Sequence, residues 1–181
     1  CITYHGVPPI STGYNNTYQI LQTPDYVAIR VENIHDVRVI PLDGRPQLDN
    51  EVRQWNGDSR GHWDGDTLVV ETTNFSPRWP FRGAGENLRL VERYMRVDDD
   101  TLSYEATVED STVWTAPWTI RQELKRQSDE ENRIYYEPRC HEGNYGLPAL
   151  LVGRRVDEEA FANGTGPNPF SMDTATCVQG L

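Results

Sequence analysis

The chain reads as an all-β protein. The expected architecture is a single antiparallel up-and-down, lipocalin-like β-barrel of about eight strands with an extended C-terminal tail, with a two-sheet β-sandwich as the alternative. Three observations lead there. Apolar residues recur with a period of two and almost nowhere with the helical period. Short turn signals separate the alternating runs. A meander of that many strands most simply closes on itself, because closure removes exposed edges.

The elements follow in order. Strands are expected at 17–22 and 26–33, joined by Thr23-Pro24-Asp25. The run 35–42 (HDVRVIPL) ends at Asp43-Gly44. Residues 44–63 show no clear period and read as a long connection with at most one short helical turn, the kind of loop that often serves as a lid or binding loop. After Asp64-Gly65, residues 66–75 place Leu68 and Val70 on one face and Val69, Glu71 and Thr73 on the other. Strands 88–97 and 101–109 flank the turn Asp98-Asp99-Asp100; in the second, Leu102, Tyr104, Ala106 and Val108 alternate with Ser103, Glu105, Thr107 and Glu109. Residues 118–126 repeat the pattern, and 133–139 (RIYYEPR) follow a charged turn at 127–132. Residues 1–158 make up the barrel domain. From Glu159 onward the Gly, Pro, Asn and Thr content predicts a tail that docks on the barrel or on a neighbouring chain.

Charge excludes some functions. The 181 residues carry a formal net charge of −11, with 28 Asp plus Glu against 17 Lys plus Arg. Such an acidic chain is unsuited to nucleic acid or anionic lipid. No apolar run reaches the ~18 residues that a transmembrane helix needs. The three cysteines, Cys1, Cys140 and Cys177, contain no CxxC pair, so a zinc ribbon or thioredoxin-type site is not expected. They allow three single disulfides. Cys1–Cys140 is the preferred pairing, since each lies beside a glycine-containing loop flanking the strands; three reduced thiols are the alternative. An N-terminal cysteine also fits a lipid-anchored mature protein. The sequons at Asn15, Asn74 and Asn163 are weak signals.

Five motifs, in order, carry a resemblance: YNNTYQILQTPDYVAI, IHDVRVIPLDGRP, GDSRGHWDGDTLVVETTNF, ENLRLVERYMRVDDDTLSYEATV and CHEGNYGL. Together, over roughly residues 1–155, the chain resembles a family of exported bacterial proteins to which no activity is assigned. The resemblance implies bacterial origin and a secreted or periplasmic location, and it implies a processed or partial form of a longer precursor. It supplies no catalytic residue.

Candidate chemistry comes from the residues themselves. Asp36 could orient His35 as a general base, with Arg38 gripping an anion; a structural polar cluster is the competing reading. His141 and Glu142, after the last expected strand, could act as acid and base, and Asn144 could contact a ligand; the alternative is a Gly turn beside a disulfide-bonded Cys140. Arg60 and His62 lie in the polar stretch 58–64, where Ser59 is not in a GxSxG elbow. Trp55 and Trp79 fall in loops and suit stacking on a sugar or aromatic ring. Glu92 shares a face with Leu88, Leu90 and Tyr94, so that face either carries charge inward or forms cross-strand ion pairs in water. The histidines are too scattered for a metal motif, although His35, His62, His141 and Glu142 could meet in space; no cofactor and no metal is expected. The leading function is binding of a small polar or aromatic molecule in the lumen or at the rim. The alternatives are a structural subunit associating as a homo-oligomer through its tail, and a secreted hydrolase or lyase using the rim cluster.

Overall fold

The computed structural model describes residues 7–11, 16–32, 36–78, 80–133 and 146–169. The chain divides into two compact units, 1–138 and 139–181. Among the described residues, the first holds eight strands in two antiparallel sheets. One sheet has the order β1-β2-β3, from Tyr18–Gln22, Tyr26–Val31 and Val37–Pro41. The other has the order β4-β5-β6-β7-β8, from Asp58–Asp64, Thr67–Thr73, Arg89–Arg96, Thr101–Glu109 and Trp118–Lys125. The class is all-β, and neither sheet closes on itself.

The turn chemistry explains the hairpins. Gly65, at φ 59°, turns β4 into β5. The Asp98 carboxylate accepts the Asp100 N–H at 2.8 Å and shapes the β6–β7 turn. That backbone bond, helped by one from the Thr101 hydroxyl, holds the carboxyl below its ordinary range. Thr23 Oγ1 closes the β1–β2 turn through hydrogen bonds with Tyr26 of 3.0 and 3.1 Å.

The step from β3 to β4 is not a hairpin: the two strands belong to different sheets. Asp36 meets Asn56, Arg38 meets Ser59, and the Gly61 backbone lies under Ile40 and Leu42. These contacts advance together along both chains, so the two strands run in the same direction. The long connection between them carries the chain back. It is pinned by Asp58, which accepts the Leu48 N–H at 2.8 Å, and by Asn74, which donates to Leu48 O and Asp49 O at 3.1 and 3.0 Å.

β4 itself was hidden in the sequence. Its buried inward positions are Ser59 and Gly61 rather than aliphatic residues, and the face ends at Trp63, which is 46% exposed, so the strand lacks the expected alternation. Ser59 and Gly61 are small because β3 lies close over them. Most other interior positions of the larger sheet are apolar: Leu68, Val70, Leu90, Tyr104, Ala106 and Val108 pack with Val27, Ile29 and Ile40 of the smaller sheet; Thr72 and Glu92 are the polar exceptions on that face.

The second unit contains helix α1, Gly146–Ala162, which alternation did not predict. It runs past the expected boundary at 158, and residues 159–162 are its last turn rather than the start of an extended tail. None of the described helices is long and apolar enough to cross a membrane. The expected strand at 133–139 falls at 134–139 outside the described residues, while Arg133 closes a short 3-10 helix, Glu131–Arg133. The Cys1–Cys140 pairing and Cys177 also lie outside them.

Two glycines separate strain from space. A Cβ at Gly57 would sit 2.6 Å from Thr73 O, and its φ is +68°. Gly65 has φ +59° with nothing within 4 Å. Gly57→Ala is therefore expected to cost about 2–4 kcal/mol, combining strain and overlap, and Gly65→Ala about 1–2 kcal/mol. Urea unfolding of the two variants checks the order.

Candidate functional site

The interior carries a charged cluster at the junction of the two sheets. Arg38 of β3 and Glu92 of β6 have side chains 6% and 0% exposed. Arg38 Nη1 donates to Glu92 Oε1 at 3.0 Å, and Nη2 donates to Oε2, so the pair is bidentate. Arg38 Nε donates to Ser59 Oγ of β4 at 2.8 Å, and Nη2 to Thr72 Oγ1 of β5 at 2.6 Å. The two hydroxyls lie 3.0 Å apart. Glu92 Oε1 also accepts the hydroxyls of Tyr94 at 2.9 Å and Tyr104 at 3.1 Å. One guanidinium thus gathers groups from β4, β5 and β6, and its carboxylate partner reaches β7.

Local pattern places each group. Thr72 is opposite both Ser59 and Leu90 in the ladder, and Glu92 is opposite Val70 and Ala106. Opposite residues share a face, so all point inward. Arg38 occupies the same kind of position on β3, one pleat from Ile40.

Burial alone works against the Arg38 charge. The Glu92 charge and hydrogen bonds outweigh it, with smaller contributions from both tyrosines, and the guanidinium is held above its usual range. Burial, reinforced by the Glu92 carboxylate, pushes the Tyr94 and Tyr104 hydroxyls well above the usual phenol range. Burial also pushes Tyr18 up to about 12.

This cluster has the chemistry of a staple. All three guanidinium nitrogens donate within it, and no face of the carboxylate is open to solvent. Arg38 therefore does not offer its guanidinium to an external anion. Asp36, its expected neighbour in catalysis, instead accepts the Val37 N–H at 2.9 Å and the Asn56 side-chain amide. Arg60 is likewise occupied, donating to Asp58, Ser59 O and Pro46 O at 2.6, 2.7 and 3.0 Å. His62 is exposed on β4, opposite Val69, and Trp55 is exposed in the long connection. His35, Trp79, His141, Glu142 and Asn144 lie outside the described residues. Among the described residues, no cluster of His, Cys, Asp or Glu could hold a metal ion.

Open space lies elsewhere. A groove of about 1100 Å³ is bordered by β1, the β6–β7 hairpin and the end of β8. Tyr18, Ile20, Leu102 and Leu124 supply its apolar surface, and Arg96 and Lys125 are among its charges. A second recess of about 640 Å³ holds Gln22, Trp63 and Val97 and shares Arg96, Asp98 and Asp99 with the first. Arg96 Nη2 meets Asp99 Oδ1 at 3.2 Å on the exposed rim. Sequence reasoning did not single out this mouth, because its residues are turn-flanking positions on separate strands. The Glu92 cluster had a legible signal: an acid in register with Leu88, Leu90 and Tyr94.

Remaining charges form cross-strand pairs in water. Arg89 bridges Glu71 and Glu109 at 2.9 and 3.1 Å, and Arg93 meets Asp64 at 2.9 Å. Strand β6 thus alternates between the two readings of its charged face: Glu92 inward, Arg89 and Arg93 outward.

The raised phenols set an alkaline limit. A hydroxyl whose folded pKa exceeds its unfolded value of about 10 contributes stability that is intact below that value and is lost as pH rises above it. With Tyr94 and Tyr104 kept protonated in the folded state, unfolding free energy should fall by about 3 kcal/mol per pH unit above about pH 10. Replacing both with Phe should flatten that slope, as measured by urea midpoints at pH 9 to 11. No family model, curated protein or solved structure matches the chain.

Proposed function

We propose that this protein binds a small polar or aromatic molecule at the mouth between β1 and the β6–β7 hairpin. The single observation that carries the reading is the contrast between interior and rim. The space between the sheets is occupied by fully buried side chains, among them Tyr104, Ile40, Leu90 and Glu92. The mouth, in contrast, is open and amphipathic. Both sheets border it, as in a barrel left open along the side of β1 and β8, and this is the sense in which the barrel architecture is proposed.

The lining suggests the ligand chemistry. Trp63 leaves 46% of its surface in water, and Arg96 stands beside the same recess. An exposed indole offers a stacking face, and Arg96, whose Nε and Nη2 donate to Asp98 O and Asp99 Oδ1 at 3.1 and 3.2 Å, has its Nη1 left to meet a carboxylate. An aromatic acid satisfies both. The acids at 98 and 99 lie on the same rim and disfavour a ligand with several negative charges. A secreted or periplasmic location is part of the proposal and is supported by the resemblance to exported proteins.

The test is thermal unfolding with a panel of small aromatic acids, phenols and monosaccharides. A ligand at about 100 times its Kd adds about 2.7 kcal/mol, roughly 5–10 °C for a chain of this size. At least one class, the aromatic acids foremost, should raise Tm by that amount, and Trp63→Ala and Arg96→Ala should each reduce the rise. A flat panel, or a rise unchanged in both variants, contradicts the reading.

A further inference from the structure

Among the described residues, strand β1 is an edge without the usual protection. Its sequence, YQILQ, carries no charge and no proline. Edge strands are ordinarily blunted by charges, proline or a covering segment, because their free backbone groups otherwise pair with another chain. The edge strand of the other sheet shows this protection. β8 carries Arg121, Glu123 and Lys125, and the Gln122 side chain is held by Pro9 O at 2.6 Å. β1 is exposed from Gln19 to Gln22, with Ile20 at 42% and Leu21 at 54%.

The orientation of its backbone follows from the ladder. The Glu32 N–H bonds Thr17 O at 2.9 Å, and the Thr23 N–H bonds Tyr26 O at 2.8 Å. Alternation then turns Gln19 and Leu21 toward β2, and turns the N–H and C=O of Tyr18, Ile20 and Gln22 to the open side. Among the described residues, no strand pairs with that side.

We propose that β1 pairs antiparallel with β1 of a second copy of this chain, about a two-fold axis at Ile20. That register sets Ile20 opposite its own counterpart and Tyr18 opposite Gln22 of the second copy. The three outward residues of each strand then make about six backbone hydrogen bonds. The two three-stranded sheets become one continuous sheet, with a self-complementary contact as a two-fold interface requires.

Charge and surface favour a second copy as the occupant. Two chains of formal charge −11 repel over most of their surfaces. β1 is a place where like meets like without a charged side chain. The outer face of the same sheet carries Leu21, Val37 and Val39 at 54%, 51% and 55% exposure. Leu21 and Val39 lie in one row across Ala28, and the proposed register brings Leu21 of both copies close to the axis. The second copy would lie on the side of β1 that also borders the groove of about 1100 Å³, so the pairing and a ligand held in that groove exclude one another; the pairing stands on the β1 edge alone and is tested without ligand.

A five-residue edge is short against the ~800 Å² per partner of a standard interface, so association should depend on concentration. The test is sedimentation velocity of the full chain from about 1 µM to about 1 mM. Wild-type mass should rise with concentration toward twice 20.7 kDa. Ile20→Lys sets two ammonium groups opposite each other at the axis. Gln22→Pro removes an outward N–H while leaving the β2 ladder intact. Each should weaken the dimer at least tenfold, with circular dichroism confirming that the variant is folded. A monomeric wild type throughout that range, or wild-type association in either folded variant, overturns the proposal.

Discussion

Arg38 brings a permanent positive charge into the space between the sheets, and the arrangement of polar groups around it follows from satisfying that charge. Taking an ion pair out of water is costly, and the cost is offset only when geometry is good and remaining donors and acceptors are filled. Here Glu92 meets the guanidinium with both oxygens, Ser59 and Thr72 take further donors, and two tyrosine hydroxyls complete the carboxylate. The partners come from four strands of the larger sheet: Ser59 from β4, Thr72 from β5, Glu92 and Tyr94 from β6, and Tyr104 from β7. The network therefore specifies how the two sheets meet, which aliphatic contacts alone specify less sharply.

The same requirement explains the least typical strand. β3 can lie close over β4 because Gly61 has no side chain: an added Cβ would come within 2.8 Å of Ile40 and 2.7 Å of Leu42. One pleat away, Ser59 is small and polar because it must accept from Arg38. A conventional aliphatic β4 would remove an acceptor and enforce a wider separation. The cluster fills its own space, so the chemistry available to a ligand moves outward to the mouth, where Trp63 and Arg96 stand at the ends of their strands.

Much of the fold was legible because hairpins of the larger sheet obey simple alternation. Leu102, Tyr104, Ala106 and Val108 do point inward, and Asp98 does shape the turn before them. β4 was not legible, since its inward residues were selected by contact with β3, a partner distant in sequence. Helix α1 was missed for a different reason. Leu150, Leu151, Val152 and Val156 are all at least half exposed, so burial imposes no clear apolar stripe on them. As for the site, Glu92 announced itself by its inward register, but nothing in the local sequence paired it with Arg38. Residues two apart share a face within a strand, but Asp36 precedes β3, and its carboxylate turns to the Val37 N–H and the Asn56 amide instead of toward Arg38.

The coupling between Arg38 and Glu92 is measured most directly by a double-mutant cycle in urea, with Arg38→Met, Glu92→Leu and the double variant. If the pair joins the sheets, each single change strands a buried charge, and the double variant recovers much of the loss. The coupling free energy should then be about 2–3 kcal/mol. Additivity to within about 0.5 kcal/mol would mean that the two charges are held in place by the fold and do not determine how its sheets come together.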